Sequence, residues 1–147
     1  MTITQELEPP VSDADAMRTL RYENTERTAA MMACTADCVK LLRPDGTVAY
    51  MSQNGMCAME IDDFSQVYGQ RWSALWPSDA SALIEQSMVQ ARNGKTAHFI
   101  ADCPTAKGTS ARWDVTVQAI FGDDGSLSEF IAVSRRTSDP TRPLTVC

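Results

Sequence analysis

The chain has 147 residues, 44% of them apolar, enough to bury one core and therefore one domain. A formal net charge of −6 without any cluster of Lys and Arg argues against nucleic acid, whose phosphates demand clustered cations. No window approaches the roughly 18–20 consecutive apolar residues of a membrane span, and the opening "MTITQELEPPVSDADA" lacks the basic and apolar regions of a secretory leader, so no membrane contact and a cytoplasmic location are expected.

Residues 1–11, with Pro9 and Pro10 and no apolar period, read as a flexible arm. From Ser12 the pattern changes. Met17, Leu20, Asn24, Thr28 and Met31 recur at three- and four-residue steps with no Gly or Pro between them, which predicts an amphipathic helix over 12–34. Its stripe of Met17, Leu20, Thr28 and Met31 suits packing on its own domain or the seam of a homodimer, and both can hold together. Five cysteines, at 34, 38, 57, 103 and 147, make an odd set with no C-x-x-C pair, as expected of free thiols in a reducing compartment. Cys34 and Cys38 could share a helix face, but with one His in the chain no metal site is expected.

"CVKLL", "RPDG" and "TVAYMS" read as strand, turn and strand, because Pro-Asp-Gly supplies a tight reversal. Lys40 is a cation inside an otherwise apolar strand; it either snorkels to the sheet edge or anchors an anionic ligand. From Gln53 to Leu75 alternation is absent and Gly55 and Gly69 interrupt, so short helical turns are expected. "SDASALIEQSMVQARNG" starts with an N-cap, places Leu83, Ile84, Ser87, Met88 and Ala91 on one face and stops at Asn93-Gly94, predicting a longer helix. Three strands follow, in "KTAHFIADC", "SARWDVTVQAI" and "SLSEFIAVSR". In the middle one Trp113, Val115, Val117 and Ala119 share one face, and Arg112, Asp114, Thr116 and Gln118 the other. Residues 139–147, punctuated by Pro140 and Pro143, read as a flexible tail.

Two strands, short helices, one longer helix and three long strands form an order that resembles a PAS domain. "DCVKLLRPDGTVAYMS", "GQRW", "ARNGK" and "DDGSLSEFIAVSRRTSD" carry the resemblance over about residues 35–138. It is similar to the sensory PAS modules found ahead of bacterial histidine kinases. The resemblance implies an α+β fold: a PAS-like five-stranded antiparallel sheet with short helices on one face, preceded here by the N-terminal amphipathic helix. It also implies a pocket between those helices and the sheet. On this chain the pocket positions are Tyr50, Met56, Met59, Trp72, Trp76, Ile84, Met88, Phe99, Ala101, Cys103, Trp113, Val115, Val117, Phe130 and Ser134; Lys40 would be an anion anchor there only if it does not snorkel.

Family members often end in an Asp-Ile-Thr triplet; the matching positions are Arg136, Thr137 and Ser138, and the chain ends nine residues later. No output domain is expected to follow, so a signal would leave through a protein partner such as a histidine kinase or regulator. In the flavin-binding branch a reactive Cys would fall on Trp72 and the amides near Cys103 and Trp113, so light-driven cysteinyl chemistry is not expected; a non-covalent flavin stacked on an indole is a lesser alternative. Haem needs an inward axial ligand, yet His98 alternates with Ala97, Phe99 and Ala101 and should face outward. Met56 and Met59 read as adaptable packing rather than ligands. A general-base enzyme would need Asp114 in an apolar pocket, and alternation sends it to the opposite face; neither a nucleophile elbow nor a phosphate loop is present. The expectation is a stand-alone sensor or signalling module, not an enzyme, binding a small apolar ligand or a protein partner. The alternative is a ligand-free dimerisation scaffold.

Overall fold

The computed structural model describes residues 37–147. The arm at 1–11, the helix expected over 12–34 with Met17, Leu20, Thr28 and Met31, and Cys34 lie outside the described residues. The described part is one antiparallel sheet carrying helices on one face. Its strands are β1 (Cys38–Leu42), β2 (Val48–Met51), β3 (Ala97–Asp102), β4 (Arg112–Phe121), β5 (Leu127–Arg136) and β6 (Arg142–Val146), arranged in space as β2-β1-β5-β4-β3-β6.

The β1–β2 reversal forms where "RPDG" requires it. Gly46 adopts φ +87°, a left-handed conformation open to glycine, and Asp45 accepts hydrogen bonds from the amide and hydroxyl of Thr47. Between Leu41 and Leu42 the register slips, so Lys40 pairs with Met51, Leu41 with Tyr50, and Leu42 with Val48. This bulge inverts the parity of β2. Tyr50, expected in the pocket, therefore shares the outer face with Leu41.

Helix α1 (Gln53–Ala58) is capped by Ser52, whose hydroxyl accepts from the Gly55 amide and also from the Val39 amide of β1. Two 3₁₀ turns, Phe64–Gln66 and Trp72–Leu75, complete the short helical run expected there. Helix α2 (Ser81–Arg92) buries Ile84, Ser87, Met88 and Ala91 and ends at Asn93; Leu83 is only half-buried. Its N-cap position is Ala80, with no capping side chain, in place of the Ser or Asp cap the sequence suggested. The α2 stripe packs over Val115, Val117, Phe99, Phe130 and Ala132, the inward positions of β4, β3 and β5. That is the main core.

The sheet has six strands where five were expected. Residues 142–146, read as part of a flexible tail, pair antiparallel with β3 as Ala97–Val146, His98–Thr145 and Ile100–Arg142. Pro143, the reason for reading a tail, is tolerated because β6 is an edge strand and the ladder is irregular at that point, where no donor is required. Leu144 packs against the core and the two strand ends close through reciprocal Thr96–Cys147 backbone bonds.

Candidate functional site

Strand alternation places Cys38, Lys40 and Leu42 of β1 on the inner face. Leu42 joins the core under α2, but α2 does not extend over the other two. Here the cover is α1, the 3₁₀ turns and the β3–β4 loop, which pack less regularly than a long helix and leave a cavity of about 160 Å³. An apolar void of about 150 Å³ is large enough to admit benzene.

Cys38 and Lys40 line this cavity from β1, Met51 from β2, Trp113 from β4 and Ser134 from β5. Met59, Ile61 and Val67 close it from the helical run, and Trp72, Leu75 and Trp76 form the wall towards the core. Trp72 and Trp76 meet edge-on with ring centroids 6.2 Å apart, and Trp76 meets Phe99 at 5.8 Å, so three rings separate the cavity from the packed core. Cys103, Pro104, Thr105 and Ala106 complete the lining.

Most of that surface is apolar, which makes its polar groups informative. Lys40 is 6% exposed, its Nζ 3.0 Å from the Cys38 sulfur, and it forms no ion pair with a carboxylate among the described residues. It does not snorkel: β1 is interior to the sheet, between β2 and β5, and the lysine stem runs along the cavity beside Ala132 and Met51. Ser134, 4% exposed, sits directly across the strands from Cys38. Burial pushes the Cys103 thiol up, with the Lys40 charge pulling the other way.

The rim is tied. Glu60, in a left-handed conformation at φ +57°, accepts from the hydroxyls of Thr105 and, at 2.6 Å, Thr109; the Ala106 amide donates to the Met59 carbonyl at 2.9 Å. Those hydroxyls, Thr105 foremost, hold the Glu60 carboxyl below its ordinary range. Beyond the cavity wall, Trp113 donates from its indole nitrogen to the Cys103 carbonyl at 3.0 Å, and the Arg136 guanidinium lies over its ring at 5.3 Å. Arg136, Thr137 and Ser138 line a polar surface cleft with Asp102 and Arg112, which form a two-pronged ion pair at 2.7 and 3.3 Å.

Of the residues singled out from sequence, Lys40, Met59, Trp72, Trp76, Cys103, Trp113 and Ser134 come together at the cavity. Ile84, Met88, Phe99, Ala101, Val115, Val117 and Phe130 do not; they fill the neighbouring core, where α2 packs on the sheet. Met56 packs in a smaller cluster with Cys38, Met51, Ile61 and Val67. Sequence reasoning missed Cys38, Met51, Ile61, Val67, Leu75, Pro104, Thr105 and Ala106. Cys38 was findable, since it lies two residues from Lys40 on one strand. His98 lies on the opposite face, its Nε2 2.6 Å from Asp114 Oδ1, so neither residue reaches the cavity.

A family model described as the PAS fold matches residues 35–142. No curated protein sequence matches the chain. Among solved structures, the PAS domain of a protein from Colwellia psychrerythraea superposes with a TM-score of 0.66 at 11% identity, covering 77% of this chain and 96% of that one. The PAS domain of an HTR-like protein from Haloarcula marismortui gives 0.61 at 18% identity, over 83% and 98%. A light-oxygen-voltage domain described with a flavin analogue gives 0.64 at 13% identity, over 82% and 89%. At these identities the likeness is one of fold.

Proposed function

Because the chain belongs to the PAS-fold family, we propose that it is a sensory module whose inner cavity takes up a small, largely apolar molecule and whose output is contact with another protein. One observation carries this reading: a cavity of about 160 Å³, walled by three tryptophans and two methionines, beside the main core. A cavity is costly to a fold, since each missing contact forfeits dispersion energy, and a ligand returns it.

The output route proposed starts at Trp113. Its side chain lines the cavity and its ring is also in contact with the Arg136 guanidinium, so displacement of the indole would reach the end of β5 and residues 136–138. A histidine kinase or other regulator, and a second copy of the chain, are the partners proposed for that end and for the sequence preceding β1.

The residues present do not fit a flavin or haem. Trp72 occupies the place of the reactive thiol, His98 faces away, and the cavity matches a single small ring rather than a tricyclic or porphyrin system. No catalytic step is assigned either: Asp114, the carboxylate considered as a general base, lies on the opposite face beside His98.

The test is to titrate the protein with neutral apolar probes of one ring, benzene, toluene and benzyl alcohol, while following methyl and indole NMR signals. Shifts confined to Trp72, Trp113, Met51 and Met59 that saturate with probe are the expected result. Unmoved signals at probe saturation would overturn the ligand reading and leave the interaction scaffold.

A further inference from the structure

The cavity contains a group that an apolar ligand does not use. Lys40 is more than nine-tenths buried, lines the cavity, and has the Cys38 sulfur as its hydrogen-bond partner among the described residues. Sulfur is a weak acceptor, and an ammonium has three donors. A buried cation in this position carries a desolvation penalty unless an anion or strong acceptor meets it. Packing gives no reason for it: its strand neighbours Ala132 and Met51 are apolar, and a leucine or methionine would fill the same space without the penalty.

Its surroundings define which partner would suit it. Ser134 places a buried hydroxyl on the same lining, directly opposite Cys38 and two residues along from Lys40 in the ladder. Among the described residues Lys40 is the sole side-chain cation lining the cavity, so the complement is a single negative charge; a phosphate or sulfate dianion would call for additional cations or a set of backbone donors. The remaining wall, with Trp72, Trp76, Trp113 and Met59, suits a carbon skeleton the size of one ring or a short chain. Lys40 also acts at a distance inside the site, since its charge opposes the effect of burial on the Cys103 thiol.

We propose that the ligand of this cavity is a small monocarboxylic acid, its carboxylate on the Lys40 ammonium and the Ser134 hydroxyl and its apolar body against the tryptophan wall. This rests on the cavity being a ligand site at all. It adds that Lys40 selects the charge of what enters.

The experiment compares matched pairs, benzoate with benzyl alcohol and hexanoate with hexanol, by calorimetry or NMR titration on the whole chain and on Lys40→Met. Methionine keeps the length of the stem and removes only the charge, so the variant should fold at least as well as the parent. The acids should bind the parent at least tenfold more tightly than the alcohols. Lys40→Met should erase that preference, weakening the acids tenfold or more while leaving the alcohols within twofold. Ser134→Ala should weaken the acids alone, by a smaller factor. If the alcohols bind as well as the acids and Lys40→Met changes neither, the carboxylate assignment is wrong while the cavity remains a ligand site. If neither class binds, the ligand reading itself fails.

Discussion

Removing the Trp113 ring is the sharpest test of how the sheet, cavity and core fit together. The side chain is 2% exposed, lines the cavity, bonds the Cys103 carbonyl through its indole N–H and carries the Arg136 guanidinium over its ring. Trp113→Ala should cost about 3–5 kcal/mol, since the lost ring enlarges an existing void that the strand cannot collapse into. Part of that is the orphaned Cys103 carbonyl, about 1–3 kcal/mol by itself. Trp113→Phe separates the two: it retains most of the ring and should cost the smaller sum. Asp114, one residue along, faces the other way and is half-exposed, but it is bonded to His98. Asp114→Ala should therefore cost about 0.5–1 kcal/mol, the value of a partly exposed pair. Against a domain stability of about 5–15 kcal/mol the contrast is easily measured by urea unfolding. An Asp114→Ala variant less stable than Trp113→Ala would mean that β4 lies in the opposite register, and the cavity assignment would fall with it.

Two further variants address the cavity's edges. A methyl group at Gly55 would stand 2.6 Å from the Cys38 sulfur and 3.1 Å from Met51 Cγ, so Gly55→Ala should destabilise by about 1–2 kcal/mol, overpacking outweighing the gain in helix propensity; adding Cys38→Ala should recover most of it, and a double variant as unstable as the single one would show that the clash lies elsewhere. Glu60 has its folded carboxyl pKa lowered by the Thr105 and Thr109 hydroxyls, so its contribution is complete above its ordinary value of 4.5 and is lost as pH falls through the folded value. The stability gap between the parent and Glu60→Gln should thus narrow steadily below pH 4.5, and a gap unchanged from pH 7 to pH 3 would show that the rim latch does not depend on charge.

What could be read from sequence and what could not divide along physical lines. The inward face of β4 was legible because a strand buried on one side must alternate, and Trp113, Val115 and Val117 do. The α2 stripe was legible for the same reason at helical period. Tyr50 was misplaced because a bulge between Leu41 and Leu42 changes parity without leaving a mark in the local pattern. β6 was missed because Pro143 reads as a breaker unless one knows that the strand lies at an edge. The helix at 12–34 and its dimer seam fall outside the described residues.

The cavity was half-legible, and the half that was missed explains Lys40. Alternation says which side chains point inward; it does not say which of them meet a neighbour. Ile84 and Met88 lie over Val115, Val117 and Phe130 because a regular helix presents a continuous stripe to a regular sheet. Over Cys38, Lys40 and Ser134 the chain instead runs through α1 and two 3₁₀ turns, whose side chains form no such stripe, so the lining is contributed singly by Met59, Ile61, Val67, Trp72 and Leu75. A lysine on β1 under α2 would have been a buried charge in a packed core and ruinous to the fold; the same lysine two residues earlier than Leu42, under the irregular cover, has space before it. Where the fold leaves room and the strand supplies a cation, a buried charge is placed beside open space rather than against a packed core.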